Sequence, residues 1–225
     1  MNQTGSEWRV ATEHGETSAT WDPAASNGGK TVFVCAHGAG GHMADRALLG
    51  LSAALRPRGL DVVRFNFLYR ERGSSRPDPM PRLLSCFSAV IARVREELKP
   101  ACLILGGRSM GGRAASMLAA EAYPCDGLLL LAYPLHPPGQ PEKLRGAHLS
   151  AIKVPVLCFN GTRDDFCRRD LMEAAVSRAG ERWTMHWLED ADHSFRVRKR
   201  SGSTAESVLA EVGEVTEKWV LSLAR

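Results

Sequence analysis

Residues 103–115 read Leu-Ile-Leu-Gly-Gly-Arg-Ser-Met-Gly-Gly-Arg-Ala-Ala. The apolar start is typical of a buried strand, and the small residues after the serine favour a helix. Between them lies a Gly-x-Ser-x-Gly pentapeptide, in which Gly107 and Gly111 flank Ser109. A tight strand-to-helix turn of this kind holds a serine hydroxyl above a parallel sheet, and it needs glycine where strand and helix approach closely. The context therefore favours a nucleophile elbow at Ser109 over a plain glycine-rich turn.

The composition is that of one globular domain. The chain has 225 residues, of which 44% are hydrophobic, enough for a single large core. Residues 1–8 are polar and do not resemble a secretory signal, and the longest apolar run, 128–133, is too short to span a bilayer. We expect one domain over residues 1–225, a cytoplasmic location and no membrane partner.

Cysteines and charge argue against several other classes. The six cysteines form no Cys-x-x-Cys pair, which predicts free thiols and no metal cluster. Three of them, Cys35, Cys102 and Cys158, are expected in the core, whereas Cys167 is expected in a loop, where a thiol is more reactive. The net charge is +4, and the basic run 196–200 has no aromatic platform beside it. We therefore favour a solvated loop there and expect no nucleic-acid partner.

Strand and helix signals alternate along the chain. The pattern predicts strands at 31–36, 61–66, 101–105, 127–132, 154–159 and 183–187, and helices at 45–56, 83–98, 110–122, 171–179 and 204–223. Such alternation predicts a mainly parallel, doubly wound sheet with helices on both faces. Within residues 1–30, segments 7–10 and 19–21 are expected to form an antiparallel edge hairpin. Ligands bind at the carboxyl ends of the strands in such sheets, so the loops there are expected to carry the site.

A serine nucleophile needs a base, and the base needs an acid that orients it. Asp164 and Asp165 follow the strand at 154–159, and His193 follows the strand at 183–187. The chain order serine, carboxylate, histidine on one sheet edge predicts a catalytic triad of Ser109, Asp164 and His193. Only one of the two adjacent carboxylates can reach the imidazole, and the spacing Gly-x-x-Asp favours Asp164 over Asp165.

The developing oxyanion needs two backbone N–H donors, for which we expect Met110 and Ala39. Ala39 lies in the loop His-Gly-Ala-Gly-Gly-His at 37–42, whose glycines allow the backbone to approach a substrate; the alternative is a glycine turn without a ligand role. His37 is expected to hold this loop, and a metal site with His42 lacks further ligands, so none is expected. The candidate substrate-binding residues are His37, Gly38, Gly40, Arg70 and Arg108.

Several segments together resemble α/β-hydrolases, and within them the dienelactone-hydrolase-like group that includes testis-expressed protein 30 and the hydrolase-like domain of NSL-complex subunit 3. These segments are His-Gly-Ala-Gly-Gly (37–41), Phe-Asn-Phe (65–67) with Arg-Pro-Asp-Pro (76–79), Gly-Gly-Arg-Ser-Met-Gly-Gly-Arg-Ala-Ala (106–115), Tyr-Pro-Leu-His-Pro-Pro-Gly (133–139), Gly-Thr-Arg-Asp (161–164) and Ala-Asp-His-Ser-Phe (191–195). The resemblance implies an α/β-hydrolase fold and the same triad. Dienelactone hydrolases use a cysteine where this chain has Ser109, so dienelactone is not implied as the substrate.

Residues 133–153 carry four prolines and no long amphipathic helix, which predicts a minimal cap or none and an open site. Three arginines in the loop after residue 66, Arg70, Arg72 and Arg76, either attract a carboxylate or phosphate of the substrate or lie in a solvated loop. The leading hypothesis is a serine hydrolase that cleaves a small carboxylic ester or thioester through an acyl-enzyme on Ser109, without a cofactor. The alternatives are an acyltransferase with the same triad and a non-catalytic interaction protein; sequence leaves the substrate and oligomeric state open.

Overall fold

The computed structural model describes residues 5–25 and 31–223, and one mixed sheet lies at the centre of this part of the chain. Its strands are β1 (Ser6–Thr12), β2 (Gly15–Asp22), β3 (Thr31–Ala36), β4 (Leu60–Phe65), β5 (Cys102–Arg108), β6 (Gly127–Leu131), β7 (Val156–Gly161) and β8 (Trp183–Leu188). The helices are α1 (Arg46–Leu55), α2 (Leu68–Glu71), α3 (Met80–Leu98), α4 (Met110–Ala120), α5 (Arg169–Ala179) and α6 (Ala205–Leu223).

The strands lie in the order β1-β2-β4-β3-β5-β6-β7-β8. From β4 to β8 all neighbours are parallel, whereas β1 and β2 form an antiparallel hairpin whose second strand pairs antiparallel with β4. This arrangement confirms the predicted mainly parallel sheet. The parts of the expected segment 1–30 at 1–4 and 26–30, and residues 224–225 of the expected domain, lie outside the described residues.

Helices cover both faces of the sheet, and each face has its own apolar core. On one face α3, α4 and α5 pack with side chains such as Phe87, Leu118 and Met172, together with the β3 side chains Val32 and Val34. On the opposite face α1 and α6 pack against the intervening β3 side chains and against their neighbours in β5 to β7. The alternation along β3 is the period of two that a strand imposes, so one apolar run supplies both cores.

Some element ends differ from those expected. β5 continues through Gly106, Gly107 and Arg108, because these residues pair with β3 and β6 although glycine disfavours strands. A Cβ atom at Gly106 would lie 1.8 Å from the carbonyl oxygen of Leu129, so only glycine fits there. Helix α3 begins at Met80, earlier than expected. Proline is tolerated at Pro81 because N–H groups in the first turn of a helix have no partner within the helix. The one-turn helix α2 was not predicted, because four residues show no periodicity.

Cys167 lies in a loop, as expected, but the expectation that its thiol is more reactive is wrong. This residue is buried, and burial raises the pKa of its thiol far above the ordinary value, which makes it unreactive. All six cysteines lie within the described ranges and are free thiols. Among the helices of residues 5–25 and 31–223, none combines the length and apolar character needed to cross a bilayer.

The turn between β5 and α4 has the sharpness expected of a nucleophile elbow. Ser109 has a φ of 51°, which is unusual for a residue with a side chain. Cβ atoms at Gly107 and Gly111 would lie 2.1 and 2.4 Å from the carbonyl oxygen of Ala36. The glycines are therefore required by the end of the neighbouring strand β3, rather than by contact between β5 and α4 themselves as expected.

Replacing Gly111 by alanine is expected to lower the free energy of unfolding by about 3 kcal/mol, because the added methyl group would overlap a backbone carbonyl that cannot rotate away. Chemical denaturation with urea measures the difference. The matched control is Gly50→Ala in α1, where the new atom meets only the flexible end of Leu209 and alanine favours the helix. A loss in Gly111→Ala no larger than in the control would contradict the close-contact argument.

Candidate active site

Three side chains from three loops meet at the carboxyl edge of the sheet. The Ser109 hydroxyl lies 3.0 Å from Nε2 of His193, and Nδ1 of that imidazole lies 2.9 Å from each carboxylate oxygen of Asp164. An ionised carboxylate can only accept, so it fixes the tautomer with the proton on Nδ1 and leaves Nε2 free to accept from the serine. The neighbouring Asp165 is exposed, and the structure gives it no contact with the imidazole.

The carboxylate of Asp164 is held in place by further donors. Its side chain is fully buried, and it accepts the backbone N–H of Phe166 at 2.8 Å and the amide of Asn160 at 3.1 Å. The same Asn160 amide group donates to the carbonyl oxygen of Tyr133 at 3.1 Å, so it connects the end of β7 with the end of β6. Sequence reasoning missed Asn160, although a polar residue at the end of an apolar strand was a usable signal.

The loops that carry the acid and the histidine are joined through their backbones. A Cβ atom at Gly161 would lie 2.1 Å from the carbonyl oxygen of Ala191, which accepts the backbone N–H of Arg163 at 2.9 Å. The Arg163 guanidinium also donates to the carbonyl oxygen of Asp190 at 2.9 Å. These contacts hold the two loops in one relative position, and therefore also the carboxylate and the imidazole.

Two other side chains contact His193 or its backbone. The ring of Phe166 stacks on the imidazole with a centroid distance of 4.2 Å. Arg108, which precedes the serine, donates to the carbonyl oxygen of His193 at 2.6 Å and contacts the Ser194 hydroxyl at 3.3 Å. Burial lowers the pKa of the Arg108 guanidinium. The sequence suggested a substrate contact for Arg108, but the structure places its guanidinium on the histidine loop; no sequence signal identified Phe166.

The loop after β3 lies directly beside Ser109. A Cβ atom at Gly38 would lie 3.5 Å from the Cβ of Ser109, and Gly40 has a φ of 72°. Within the described residues, the N–H groups of Ala39 and Met110 donate to no other protein group. Two N–H donors without a protein partner in these ranges thus belong to the segments next to the serine, and an oxyanion requires free donors of this kind.

His37 is buried and holds this loop with both of its ring nitrogens. Nδ1 lies 2.8 Å from the carbonyl oxygen of Gly38, and Nε2 accepts the backbone N–H of Phe67 at 3.1 Å. Burial lowers the pKa of His37 to about 4, so the imidazole is neutral near pH 7. His42 instead contacts Asp45 at 3.1 Å at the start of α1. His37 thus supports the loop, and it presents no free nitrogen to a substrate.

The arginines of the loop after β4 have different partners. Arg72 forms an ion pair with the partly enclosed Asp78 at 2.6 Å, and Arg76 is exposed. Arg70 donates from Nη1 to the carbonyl oxygen of Ser74 at 2.9 Å, and its positive charge contributes to the low pKa of His37. Of the three, only Arg70 is therefore placed near the loop after β3, which carries His37 and Ala39.

A second serine–histidine pair lies on α4. The Ser116 hydroxyl lies 2.8 Å from Nε2 of His148, but it also donates to the carbonyl oxygen of Arg113 one turn back. No carboxylate contacts His148 among the described residues. Ser116 sits inside the helix with its hydroxyl buried, so this pair lacks both the strained turn and the orienting acid of the Ser109 site.

A serine at a strand–helix elbow, an imidazole from the loop after the last strand and a buried carboxylate on the far side of that imidazole define a site of the α/β-hydrolase class. The sequence agrees: residues 29–221 match the family described as alpha/beta hydrolase domain, and the chain belongs to that family.

Several solved structures have the same fold. An α/β serine hydrolase homologue from Coxiella burnetii is 18% identical, with 97% of this chain and 98% of that chain covered and a TM-score of 0.77. A serine hydrolase without a lid from Xanthomonas campestris is 20% identical over 97% and 96% of the two chains, with a TM-score of 0.72. A dienelactone hydrolase from Anabaena variabilis is 17% identical over 98% and 99%, with a TM-score of 0.74. At these identities the similarity concerns the fold alone, and it confirms the predicted α/β-hydrolase fold.

Replacing His37 by glutamine is expected to reduce the loss of stability on acidification. The folded-state pKa of about 4 lies below the unfolded value of 6.5, so the unfolded chain binds a proton first as the pH falls. The buried His37 imidazole therefore does not lower the free energy of unfolding well above pH 6.5, but it lowers it by about 2 kcal/mol near pH 5. Urea unfolding near pH 7.5 and pH 5 measures this slope, with His14→Gln at an exposed position as the control. Equal slopes in wild type and His37→Gln would contradict the assignment.

Proposed function

We propose that this protein is a serine hydrolase that cleaves a small carboxylic ester or thioester through an acyl-enzyme on Ser109. The observation that carries the proposal is the 3.0 Å contact between the Ser109 hydroxyl and an imidazole nitrogen whose partner nitrogen is held by a buried carboxylate. A serine hydroxyl becomes nucleophilic when an oriented base takes its proton as it attacks.

In the first half-reaction, Oγ of Ser109 attacks the carbonyl carbon of the ester while His193 takes the hydroxyl proton at Nε2. The N–H groups of Ala39 and Met110 donate to the oxyanion of the tetrahedral intermediate, where each donor contributes about 3 kcal/mol. When the intermediate collapses, the carbon–oxygen or carbon–sulfur bond breaks. His193 returns the proton to the departing alcohol or thiol, and the acyl group stays on Ser109.

In the second half-reaction, water gives a proton to His193 and attacks the acyl carbon. The intermediate again uses the two N–H donors, and its collapse releases the carboxylic acid while Ser109 regains its proton. Asp164 stays ionised throughout and stabilises the imidazolium that forms at His193 in both steps. No oxidant, reductant or metal ion is needed for this sequence.

The surroundings of the site favour a small substrate. Between β6 and β7 the only regular element is the 3₁₀ helix Leu149–Ala151, and this stretch contains no helix of the length that a lipase-type lid requires. An open site of this kind buries little apolar surface, so long acyl chains gain little binding energy from it. The narrower kinship with the dienelactone-hydrolase-like group, including testis-expressed protein 30, is part of this proposal.

A fluorophosphonate probe is expected to label wild-type protein and to leave Ser109→Ala unlabelled. Turnover of p-nitrophenyl acetate by that variant should fall by about 10³-fold or more, because the nucleophile is missing. Ser116→Ala is the matched control, because Ser116 lies in α4, directly after the elbow, and its hydroxyl also contacts a histidine, His148. A folded wild-type protein that neither reacts with the probe nor hydrolyses the ester would contradict the proposal and favour an interaction module.

Replacing Arg108 by alanine is expected to lower kcat for a neutral p-nitrophenyl ester by about tenfold while KM changes by less than about twofold. The guanidinium fixes the backbone of His193, so its loss loosens the base without removing a substrate contact. Arg196→Ala is the control, because Arg196 is exposed in the same loop. A rise in KM at constant kcat would instead support the substrate-binding role suggested by the sequence.

A further inference from the structure

A group of basic side chains lies at α4, the helix that follows the nucleophile, and takes no part in the proposed mechanism. This basic cluster consists of Arg113 on α4 and of Arg145 and His148 in the segment between β6 and β7. Ser116 and Tyr133 hold the cluster together: the Ser116 hydroxyl lies 2.8 Å from His148, and the Tyr133 hydroxyl donates to the carbonyl oxygen of Arg145 at 3.1 Å. The backbone N–H of Arg145 donates to Leu135 at 2.7 Å.

Neither guanidinium of the basic cluster has a protein partner. Within the described residues, the side chains of Arg113 and Arg145 form no hydrogen bond and no ion pair, and Nε of Arg113 is shut off from solvent without an acceptor. Arg163 and Arg168 are, by contrast, paired with Asp190 and Asp170. A partly enclosed guanidinium without an acceptor is costly, so a ligand that supplies an acceptor is favoured.

The charges of the basic cluster add up to two positive groups with no negative neighbour. Burial, and then the nearby charge of Arg113, lower the pKa of His148 to about 4, so this imidazole is neutral near pH 7. Burial and the same Arg113 charge lower the pKa of the Arg145 guanidinium. The positive charges of Arg113 and Arg145 oppose each other, and an anion bound by both would relieve that repulsion.

The cluster is placed for a substrate on Ser109. Arg113 follows the serine by four residues on α4, and its backbone N–H donates to the Ser109 carbonyl oxygen at 3.0 Å. Ser109 directly precedes α4, so the rise of the helix puts Arg113 about 6 Å further along its axis, and helical side chains lean toward the N-terminal end of the helix. The Arg113 side chain therefore leans toward the end of α4 at which Ser109 stands.

We propose that Arg113 and Arg145 together bind a carboxylate or phosphate group carried by the ester substrate, about 6 to 10 Å from the carbonyl carbon that Ser109 attacks. Planar guanidinium groups bind both anions through paired hydrogen bonds. The inference rests on the proposed esterase function and adds a substrate class to it, namely esters that carry an anion at one end. It also moves anion recognition from the loop after β4, where the sequence placed it, to the opposite side of the serine.

The test compares two substrates that differ only in charge at the chain end. The p-nitrophenyl monoester of adipate and p-nitrophenyl hexanoate have the same number of acyl carbons, and the ratio of their kcat/KM values isolates the anion. We expect this ratio to fall about tenfold in Arg113→Gln and in Arg145→Gln, the loss typical of one charge-assisted contact. A second pair, 6-acetoxyhexanoate and hexyl acetate, followed by acid release, tests an anion on the alcohol side.

The controls separate this site from other arginines and from general charge. Arg178→Gln removes an exposed charge near the far end of α5 and should leave the ratio unchanged. A fall in the ratio in Arg70→Gln, with none in the two cluster variants, would overturn the proposal in favour of the loop after β4. Unchanged ratios in both cluster variants for both substrate pairs would also overturn it.

Binding measurements keep this inference apart from the function proposed for Ser109. In Ser109→Ala protein, calorimetric titration with the adipate monoester and with 6-acetoxyhexanoate reports the affinity without turnover. We expect the dissociation constant of at least one of the two to rise about tenfold when Arg113→Gln or Arg145→Gln is added. If wild-type protein is inactive but the dissociation constant rises in these variants, the esterase function is refuted and the anion site is retained. If wild-type protein is active but the dissociation constant does not rise, the anion site is refuted and the esterase function is retained.

Discussion

The carbonyl group of Ala36 occupies the space that side chains at positions 107 and 111 would need. The two virtual Cβ atoms would lie 2.1 and 2.4 Å from its oxygen, so β3, β5 and α4 can meet only where both positions are glycine. This close packing forces the backbone of Ser109 to a φ of 51°, and the strain is offset by its N–H bond to Leu131 at 2.8 Å. The position of the proposed nucleophile therefore depends on backbone packing rather than on contacts of its own side chain.

The same kind of contact sets the other two members of the triad. Gly161 lets the backbone of Ala191 approach the turn that carries Asp164, and Arg163 bonds both Ala191 and Asp190. Because these contacts all reach backbone groups just past the ends of two adjacent parallel strands, the acid and the histidine loops keep a fixed separation. The distances of 2.9 and 3.0 Å around His193 are consequences of that separation, and Arg108 adds a tether from the elbow to the histidine loop.

The features that local sequence patterns predicted are those that short-range interactions along the chain determine. The alternation of strands and helices and the Gly-x-Ser-x-Gly turn have fixed short spacings, and the order of Ser109, Asp164 and His193 follows from strand ends that share one edge. The extension of β5 to Arg108 was not predictable from propensity, because its glycines are required by β3 and β6. The partner of Arg108 lies 85 residues away, so no local pattern revealed it. Phe166 escaped for the same reason, because its partner His193 lies in a different loop, whereas Asn160 had a local signal as a polar residue at the end of an apolar strand.

The segment between β6 and β7 gives a physical reason why selectivity in the proposed anion site would rest on charge. Where a lidded hydrolase would cover its substrate with apolar surface, this segment is joined to α4 by the contact of His148 with Ser116 and is held internally by the Tyr133 bond to Arg145. An open site of this kind offers little apolar burial, and hence little energy for choosing among neutral esters. Two guanidiniums without a protein partner in the described part of the chain, Arg113 on α4 and Arg145 in this segment, offer charge instead. Paired hydrogen bonds from them to an anion would discriminate by charge rather than by chain length.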